Sequence, residues 1–325
     1  MSTIEKALDK LGAMNPATAE PVAEKATTVD TAAPENTVQE TASGATASVA
    51  ASSESKAAQP AATVADSAVA DSGALADSAT APKLMLNIDL ASLSERNFVS
   101  MATERRLIYE EFRVIKRKLI NNAFGSLSKT LHHPNLILVT SSRPGEGKTF
   151  TSVNLALSIA LEQDKTVLLV DADVLRPNVS RTLEISTQLG LTDYLSSNDV
   201  DVSDIMYSTN VERLKIITAG KPHHLSTELL ASDKMMELVQ EFASRYPDRI
   251  VIFDAPPLLG VNETCVMAGM CGQAVVVLEE NKTKLNELDK ALSLLPKELA
   301  VGFVINKAYY SRDKGYGYGY GYYAE

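Results

Sequence analysis

The 325-residue sequence contains no tryptophan, only two cysteines and no long apolar run. Cys265 and Cys271 are too few for a disulfide framework or a zinc-ligand set, so we expect two reduced, apolar side chains in a cytosolic fold. A membrane-spanning helix needs about 20 consecutive apolar residues, and the sequence has no such stretch. The first residues also lack the basic region and apolar block of a signal peptide. These absences predict a cytoplasmic protein.

Basic residues are outnumbered by acidic ones. The chain has 31 lysines and arginines against 41 aspartates and glutamates, which gives a formal net charge of -10. A domain that binds nucleic acid normally presents a basic face, so we expect no nucleic-acid partner. The composition, 45% hydrophobic and 22% charged, is typical of a soluble globular protein.

Aromatic residues are scarce, and the tyrosines are concentrated at one end. Seven of the eleven fall in the last segment, "AYYSRDKGYGYGYGYYAE". These seven are Tyr309, Tyr310, Tyr316, Tyr318, Tyr320, Tyr322 and Tyr323. Alternating glycines leave the backbone too many conformations for such a strip to build a core easily. We predict a flexible tail over residues 309–325, which is either adhesive low-complexity sequence or a segment whose phenols are used.

The other end of the chain also differs in composition from the middle. Residues 1–15 place Ile4, Leu8 and Leu11 at helical spacing, which predicts a short amphipathic helix, either frayed or docked on a partner. Residues 16–84 consist largely of alanine, serine and threonine with few bulky side chains. Such a segment cannot bury enough surface to offset its ordering entropy, so we predict a disordered linker.

Between residues 85 and 308, apolar strand patterns alternate with helical patterns. The pattern of segment 103–124 predicts an amphipathic helix. Apolar strand patterns such as "LILVTSS" and "TVLLVDAD" are followed further along the chain by helical patterns. Continuous apolar strands that alternate with helices are typical of a parallel sheet covered on both sides. We therefore predict one α/β domain, a predominantly parallel sheet with helices on both faces.

A glycine-rich turn, "RPGEGKT", lies between a buried strand and a helix. Backbone amides of such a turn at a helix N-terminus bind phosphates. Lys148 and Thr149 match the end of the pattern G-x-x-x-x-G-K-[ST], although Ser142 stands where its first glycine is expected. The turn indicates a P-loop NTPase-type fold that binds ATP with Mg²⁺. The predicted nucleotide-binding residues are Arg143, Pro144, Gly145, Glu146, Gly147, Lys148, Thr149 and Phe150.

Three aspartates follow buried strands directly. Asp254 ends "RIVIFD", and Asp171 and Asp173 end "TVLLVDAD". In a P-loop fold such carboxylates hold Mg²⁺ or accept a hydroxyl proton. We predict Thr149, Asp171 and Asp254 at the metal, with Asp173 as the base. Lys148, Asp171 and Asp173 are then the catalytic set.

Each aspartate also has a purely structural interpretation. Asp254 would then begin a turn before proline, and Asp171 would cap a turn. Asp173 would pair with Arg176. In that case the strand ends would carry no chemistry.

Four segments in order, together with the tyrosine tail, resemble a bacterial tyrosine kinase (BY-kinase) domain. "SSRPGEGKTFTSVNLALSIA" is similar to the family's Walker A segment, "VLLVDADVLRP" to its Walker A′ and "IVIFDAPP" to its Walker B. The segment around Ser226, Glu228 and Leu229 also resembles the family, and "STIEKALDKL" resembles the start of its exosortase-associated (PEP-CTERM) subgroup. The resemblance implies an ATP-dependent tyrosine autokinase of exopolysaccharide synthesis or export. The seven tail tyrosines are its expected phosphoacceptors, modified between subunits.

The same resemblance implies partners. The family's Glu-x-x-Arg-x-x-Arg helix motif, which joins subunits into a ring, maps onto Glu110, Arg113 and Lys116, with lysine at the last position. A membrane polysaccharide co-polymerase or chain-length protein is the implied activator, and a tyrosine phosphatase is a further implied partner. The protein is then expected at the inner membrane through its partner.

Two other functions fit parts of the sequence. A ParA/MinD-like ATPase switch would hydrolyse ATP without phosphorylating protein. Its loop normally has a lysine where Arg143 stands, and it needs no tyrosine-rich end. A non-enzymatic scaffold would use the Gly-Tyr strip as an adhesive segment.

Overall fold

The computed structural model describes residues 85–100 and 106–308. The predicted N-terminal helix at 1–15, the linker at 16–84 and the tail at 309–325 lie outside these residues. The predicted domain boundaries therefore stay predictions.

One sheet of eight strands forms the centre of the described part of the chain. The strands are β1 (Met85–Leu86), β2 (Leu136–Ser141), β3 (Thr166–Asp171), β4 (Tyr207–Thr209), β5 (Leu214–Ile217), β6 (Arg249–Asp254), β7 (Gln273–Glu279) and β8 (Ala300–Asn306). Their order across the sheet is β1-β4-β5-β3-β6-β2-β7-β8. All neighbouring strands are parallel except β4 and β5. The predicted predominantly parallel sheet is confirmed.

The helices lie between the strands in sequence. They are α1 (Leu90–Glu95), α2 (Leu107–Phe124), α3 (Lys148–Ala160), α4 (Val179–Leu183), α5 (Leu191–Ser196), α6 (Val202–Ile205), α7 (Ser226–Leu230), α8 (Asp233–Ser244), α9 (Glu263–Met270) and α10 (Leu285–Leu292). The short helices α4 to α6 and strand β4 occupy the segment between β3 and β5. Across residues 85–100 and 106–308, no helix combines the length and apolar character that crossing a bilayer requires.

Alternate residues of the central strands build two separate cores. Leu136 and Leu138 of β2 face one core, to which α5 to α10 contribute. Ile137 and Val139 face the other, which contains side chains of α1 to α4. Successive side chains of a strand point to opposite faces, so a strand covered on both sides is apolar throughout. The predicted helices on both faces are confirmed.

The same topology places several polar residues at one edge. Because the strands β3, β6, β2, β7 and β8 are parallel, their carboxyl ends meet at the same edge of the sheet. Asp171, the last residue of β3, is paired in register with Asp254, the last residue of β6. The turn that follows β2 leads directly into α3, whose Thr149 contacts Asp254.

Candidate active site

The turn between β2 and α3, residues 142–148, is called the phosphate loop here. Gly145 and Gly147 have φ angles of +88° and +102°, in the left-handed region that favours glycine. A Cβ on Gly147 would also lie 1.9 Å from the Asn306 amide nitrogen. Gly147 is the N-cap of α3, so the backbone N–H groups at the start of that helix form a positive cradle for an anion.

A buried glutamate fixes the loop from within. The Glu146 carboxylate accepts hydrogen bonds from the Ser142 hydroxyl at 3.0 Å and from the Arg143 backbone N–H at 2.8 Å. The expected first glycine of the motif is therefore replaced by a serine whose hydroxyl helps to close the loop. The loop lies between β2 and α3, as the sequence predicted. The role of residues 143–150 in phosphate binding remains a prediction.

Lys148 and Asp173 form a buried ion pair, with Nζ and Oδ2 3.1 Å apart. The other Asp173 oxygen accepts the backbone N–H of Arg176 at 3.1 Å. In the described structure, Asp173 therefore has Lys148 as its ionic partner, and Arg176 contributes only its backbone. The predicted base, Asp173, and the lysine predicted at the phosphates are thus in direct contact, and both roles stay predictions.

Asp254 is fully buried, and two hydroxyl groups of α3 hold its carboxylate. Thr149 Oγ1 donates to Oδ2 at 2.6 Å, and Ser152 Oγ donates to Oδ1 at 3.0 Å. Burial raises the pKa of Asp254 to about 6, although Lys148 and the two hydroxyl groups act in the opposite direction. Ser152 is a site residue that the sequence motifs did not indicate.

Asp171 is also fully buried, but only one of its oxygens is paired. Oδ2 accepts the backbone N–H groups of Asn178 at 3.2 Å and Val179 at 3.0 Å. Oδ1 is the one buried side-chain oxygen or nitrogen without a hydrogen-bond partner in the described residues. Burial and then the negative charge of Asp254 raise the pKa of Asp171 well above its ordinary value.

These groups fit a magnesium ion bound together with a nucleotide. Mg²⁺ usually takes one or two carboxylates, several waters and phosphate oxygens rather than an all-protein cage. The unpaired Asp171 oxygen and the adjoining Asp254 and Thr149 oxygens are ligands of the right kind. Within the described ranges no three His, Cys, Asp or Glu side chains form a ready metal cluster. The predicted metal residues therefore come together at one place, and their role as ligands remains a prediction.

Residues from distant parts of the chain brace the outside of the phosphate loop. Arg143 forms a salt bridge with Glu287 of α10 at 2.7 Å. The Asn306 side chain donates to the Glu146 carbonyl at 2.9 Å, and Lys307 Nζ donates to the Gly145 carbonyl at 2.8 Å. Sequence reasoning missed Asn306, Lys307 and Glu287. No local sequence signal marks these three residues, because each reaches the loop from a distant part of the chain.

The remaining predicted nucleotide residues differ in exposure. Pro144 is exposed, whereas Phe150 is partly buried. The Phe150 ring packs on Phe98 and Phe112, with centroids 4.9 and 6.4 Å apart. The Phe150 ring therefore takes part in aromatic packing, and its predicted role in nucleotide binding stays a prediction.

The predicted subunit-contact residues lie on α2. Glu110 and Arg113 are exposed and pair at 3.5 Å. Lys116 is buried, and its ammonium group donates to the Ser158 carbonyl at 2.7 Å and pairs with Glu162 at 2.7 Å. Lys116 therefore ties α2 to the last turn of α3 in its own chain. The contact of all three residues with another subunit stays a prediction, as do the seven acceptor tyrosines, which fall outside the described residues.

Comparison with known proteins gives matches over most of this domain. The family model described as "AAA domain" matches residues 135–292. The chain is 31% identical over 235 residues to tyrosine-protein kinase YwqD of Bacillus subtilis (strain 168), which covers 72% of this chain and 95% of that protein. It is 35% identical over 178 residues to tyrosine-protein kinase CpsD of Streptococcus agalactiae, covering 53% of this chain and 75% of that one. The solved BceF tyrosine kinase domain superposes with a TM-score of 0.55 at 26% identity, over 68% of this chain and 91% of that domain.

Proposed function

Because the chain belongs to the bacterial tyrosine kinase family, we propose that it is an ATP-dependent protein tyrosine autokinase whose acceptors are the tyrosines of its own C-terminal tail. One observation supports this proposal above the others. A glycine-dependent phosphate loop, a buried lysine and three buried strand-end aspartates lie together at one edge of the sheet. This is the combination that phosphoryl transfer requires, namely positioning of phosphates and stabilisation of their charge.

In the proposed reaction the phosphate loop binds the ATP phosphates through the N–H groups at the start of α3. Lys148 turns from Asp173 to the phosphates, because several phosphate oxygens attract its ammonium group more strongly than one carboxylate does. Bound Mg²⁺ would neutralise the developing charge on the phosphates. Asp171, Asp254 and Thr149 would hold it.

Asp173 is the proposed general base. A phenol has a pKa near 10 and is a poor nucleophile at neutral pH, so it needs a carboxylate within hydrogen-bond reach. The ion pair between Lys148 and Asp173 blocks that carboxylate in the structure described here. When Lys148 moves to the phosphates, Asp173 becomes free to accept the tyrosine proton. Nucleotide binding would thus prepare the base and the phosphate together.

The tail can serve as a substrate for a neighbouring subunit. At about 3.4 Å per residue, the segment from Ser311 to Glu325 spans at most about 50 Å, and as a glycine-rich coil about 20 to 25 Å. Alternating tyrosines offer equivalent acceptors to a site that does not need one fixed position. Each phosphate adds about -1.5 to -2 charges, so loading several tails would favour separation of the subunits.

The wider setting is proposed from the family. The exposed residues Glu110 and Arg113, with Lys116 behind them, would join subunits in a ring. A membrane polysaccharide co-polymerase or chain-length protein would activate the kinase at the inner membrane, and a tyrosine phosphatase would reverse the modification. Exopolysaccharide synthesis or export is the process we propose it regulates.

Incubation of the full chain with γ-labelled ATP and Mg²⁺ tests the proposed activity. We expect stable label on tyrosine, and no label when Asp173 is replaced in Asp173→Asn. Release of inorganic phosphate without labelled protein would instead support an ATPase switch. Binding of neither ATP nor ADP would leave only a scaffold.

A further inference from the structure

The turn between β7 and α10 touches the phosphate loop through one side chain. The Thr283 hydroxyl in this turn donates a hydrogen bond to the Glu146 carboxylate, which is 4% exposed. The two residues are separated by 137 positions in sequence. The matched sequence motifs include Glu146 but not Thr283.

The Thr283 hydroxyl is the middle of a short chain of hydrogen bonds. The backbone N–H of Glu279, the last residue of β7, donates to Thr283 Oγ1 at 2.9 Å. Thr283 then donates to Glu146, which in turn accepts the Arg143 N–H of the loop. A hydroxyl that accepts one bond becomes a better donor for the next, and a bond to a carboxylate is stronger than one between neutral groups. The end of β7 is thereby linked to the conformation of the loop.

Close packing does not duplicate this link. A cavity of about 230 Å³ lies between the loop and the turn, bordered by Arg143, Pro144 and Glu146 on one side and by Glu279, Lys282 and Thr283 on the other. The hydrogen bond between Thr283 and Glu146 therefore lies at the border of this cavity. Removing the hydroxyl would leave the Glu279 N–H without its acceptor and one Glu146 oxygen with only the Ser142 hydroxyl.

An acidic side chain inside a phosphate loop has to be directed away from the ligand. A carboxylate whose oxygens turned towards the phosphates would repel them. Thr283, Ser142 and the Arg143 N–H occupy the Glu146 oxygens from the side of β7 and from the loop itself. The remaining N–H groups of the loop are then left for the phosphates.

We propose that Thr283 is a positioning residue for nucleotide binding, which acts through Glu146 to hold the phosphate loop in its binding conformation. The inference rests on the proposed function, since it supposes that the loop binds a nucleotide. It assigns to the β7–α10 turn a role that no sequence motif indicates.

Two variants of the full chain separate the hydroxyl from the shape of the side chain. Thr283→Val keeps the volume and removes the hydroxyl, and Thr283→Ser keeps the hydroxyl. Thr130→Val is the matched control, because it removes a hydroxyl that donates to the Leu127 carbonyl at 2.8 Å, outside the site. Binding of a fluorescent ADP analogue with Mg²⁺ is measured by titration, and thermal unfolding without nucleotide reports on the fold.

We expect Thr283→Val to bind the ADP analogue roughly tenfold more weakly, as the loss of one bond to a charged group implies. Thr283→Ser and Thr130→Val should bind like the wild type. Equal affinity of Thr283→Val and wild type would overturn the inference. Equal weakening of binding in both Thr283 variants would also overturn it. So would a large fall in the unfolding midpoint that both Thr283 variants share and that accounts for the weaker binding. A wild-type chain that bound no ADP analogue would refute the proposed function as well. This result differs from failure of the inference alone, in which the wild type still binds the analogue.

Discussion

Three buried aspartates at one edge of the sheet are distinguished by their partners. Asp173 is paired with the Lys148 ammonium group, Asp254 with two hydroxyl groups, and Asp171 with two backbone N–H groups and nothing on its second oxygen. Only Asp173 has a cation in direct contact. The two aspartates with raised pKa values are the ones that a bound cation would stabilise in their charged form.

Asp254 should make stability depend on pH. Its folded pKa of about 6 lies above the ordinary value of 3.8, so the folded protein binds the proton more tightly than the unfolded one. The contribution of Asp254 to the free energy of unfolding therefore falls as pH rises from about 4 to about 6, by a few kcal/mol for a shift of this size. Asp254→Asn removes this titration. Urea unfolding across the range should show the advantage of wild type over Asp254→Asn shrinking as pH rises, with the exposed-site variant Asp199→Asn measured as the control. A difference that is constant or grows with pH would contradict the assignment.

A double-mutant cycle should measure a coupling free energy between Lys148 and Asp173. Removing one partner of a buried pair leaves the other charge uncompensated, at a cost of about 3 kcal/mol. Lys148→Met should therefore destabilise the nucleotide-free protein, and adding Asp173→Asn should recover much of the loss. Urea unfolding of the four proteins measures the coupling. Strict additivity would mean that the pair does not form in solution.

At the scale of elements, α3 is held at both ends by parts of the chain that are far apart in sequence. The phosphate loop and Asp254 lie at its first turns, and Lys116 of α2 binds the Ser158 carbonyl and Glu162 at its last turn. A cation at the C-terminus of a helix also interacts favourably with the helix dipole. The helix predicted to meet another subunit is thus joined to the helix that begins at the phosphate loop.

Lys116→Met tests this joint. It removes a buried bond to a backbone carbonyl and an ion pair, so we expect a loss of about 1 to 3 kcal/mol in the free energy of unfolding. Lys118→Met, on an exposed position of the same helix, is the control and should change stability by less than about 0.5 kcal/mol. Urea denaturation measures the free energy of unfolding of both variants. Equal stability of Lys116→Met and wild type would contradict the described contact.

The elements that sequence patterns could predict are those that carry their own signal. The apolar strands that end at Asp171 and Asp254 predict the parallel sheet. They also predict the edge of the sheet at which the two carboxylates meet. Thr283 and Asn306 carry no such local signal, because each reaches Glu146 from 137 or 160 positions away. Such contacts follow only from strand order. The replacement of the first loop glycine by Ser142 was likewise intelligible only once its bond to Glu146 was described.

At the scale of the whole molecule, assembly is proposed to depend on the exposed face of α2. Glu110→Arg should weaken the ring by placing like charges at the contact, and combining it with Arg113→Glu should restore part of it by swapping the charges. Native mass spectrometry measures the oligomers, with Lys118→Met as the control. Identical oligomers in Glu110→Arg and wild type would remove this face from the interface.

Transfer between subunits can be separated from transfer within one. A chain lacking residues 309–325 keeps Asn306 and Lys307 at the phosphate loop, so it should bind ATP but have no tail acceptors. Mixed with full-length Lys148→Met, it should place phosphate on the tail of the inactive chain. Tryptic peptides that distinguish the two chains provide the measurement, and an unmodified tail on Lys148→Met in the presence of active enzyme would argue against transfer in trans.

The most direct test of the central claim is phosphosite mapping by mass spectrometry of the full chain after incubation with ATP and Mg²⁺. Wild type and Lys148→Met are compared, with thermal unfolding showing that both are folded. The account predicts phosphotyrosine among Tyr309, Tyr310, Tyr316, Tyr318, Tyr320, Tyr322 and Tyr323 in wild type and none in Lys148→Met. Phosphotyrosine that persists in a folded Lys148→Met chain, or a wild-type tail that stays unmodified, would contradict it.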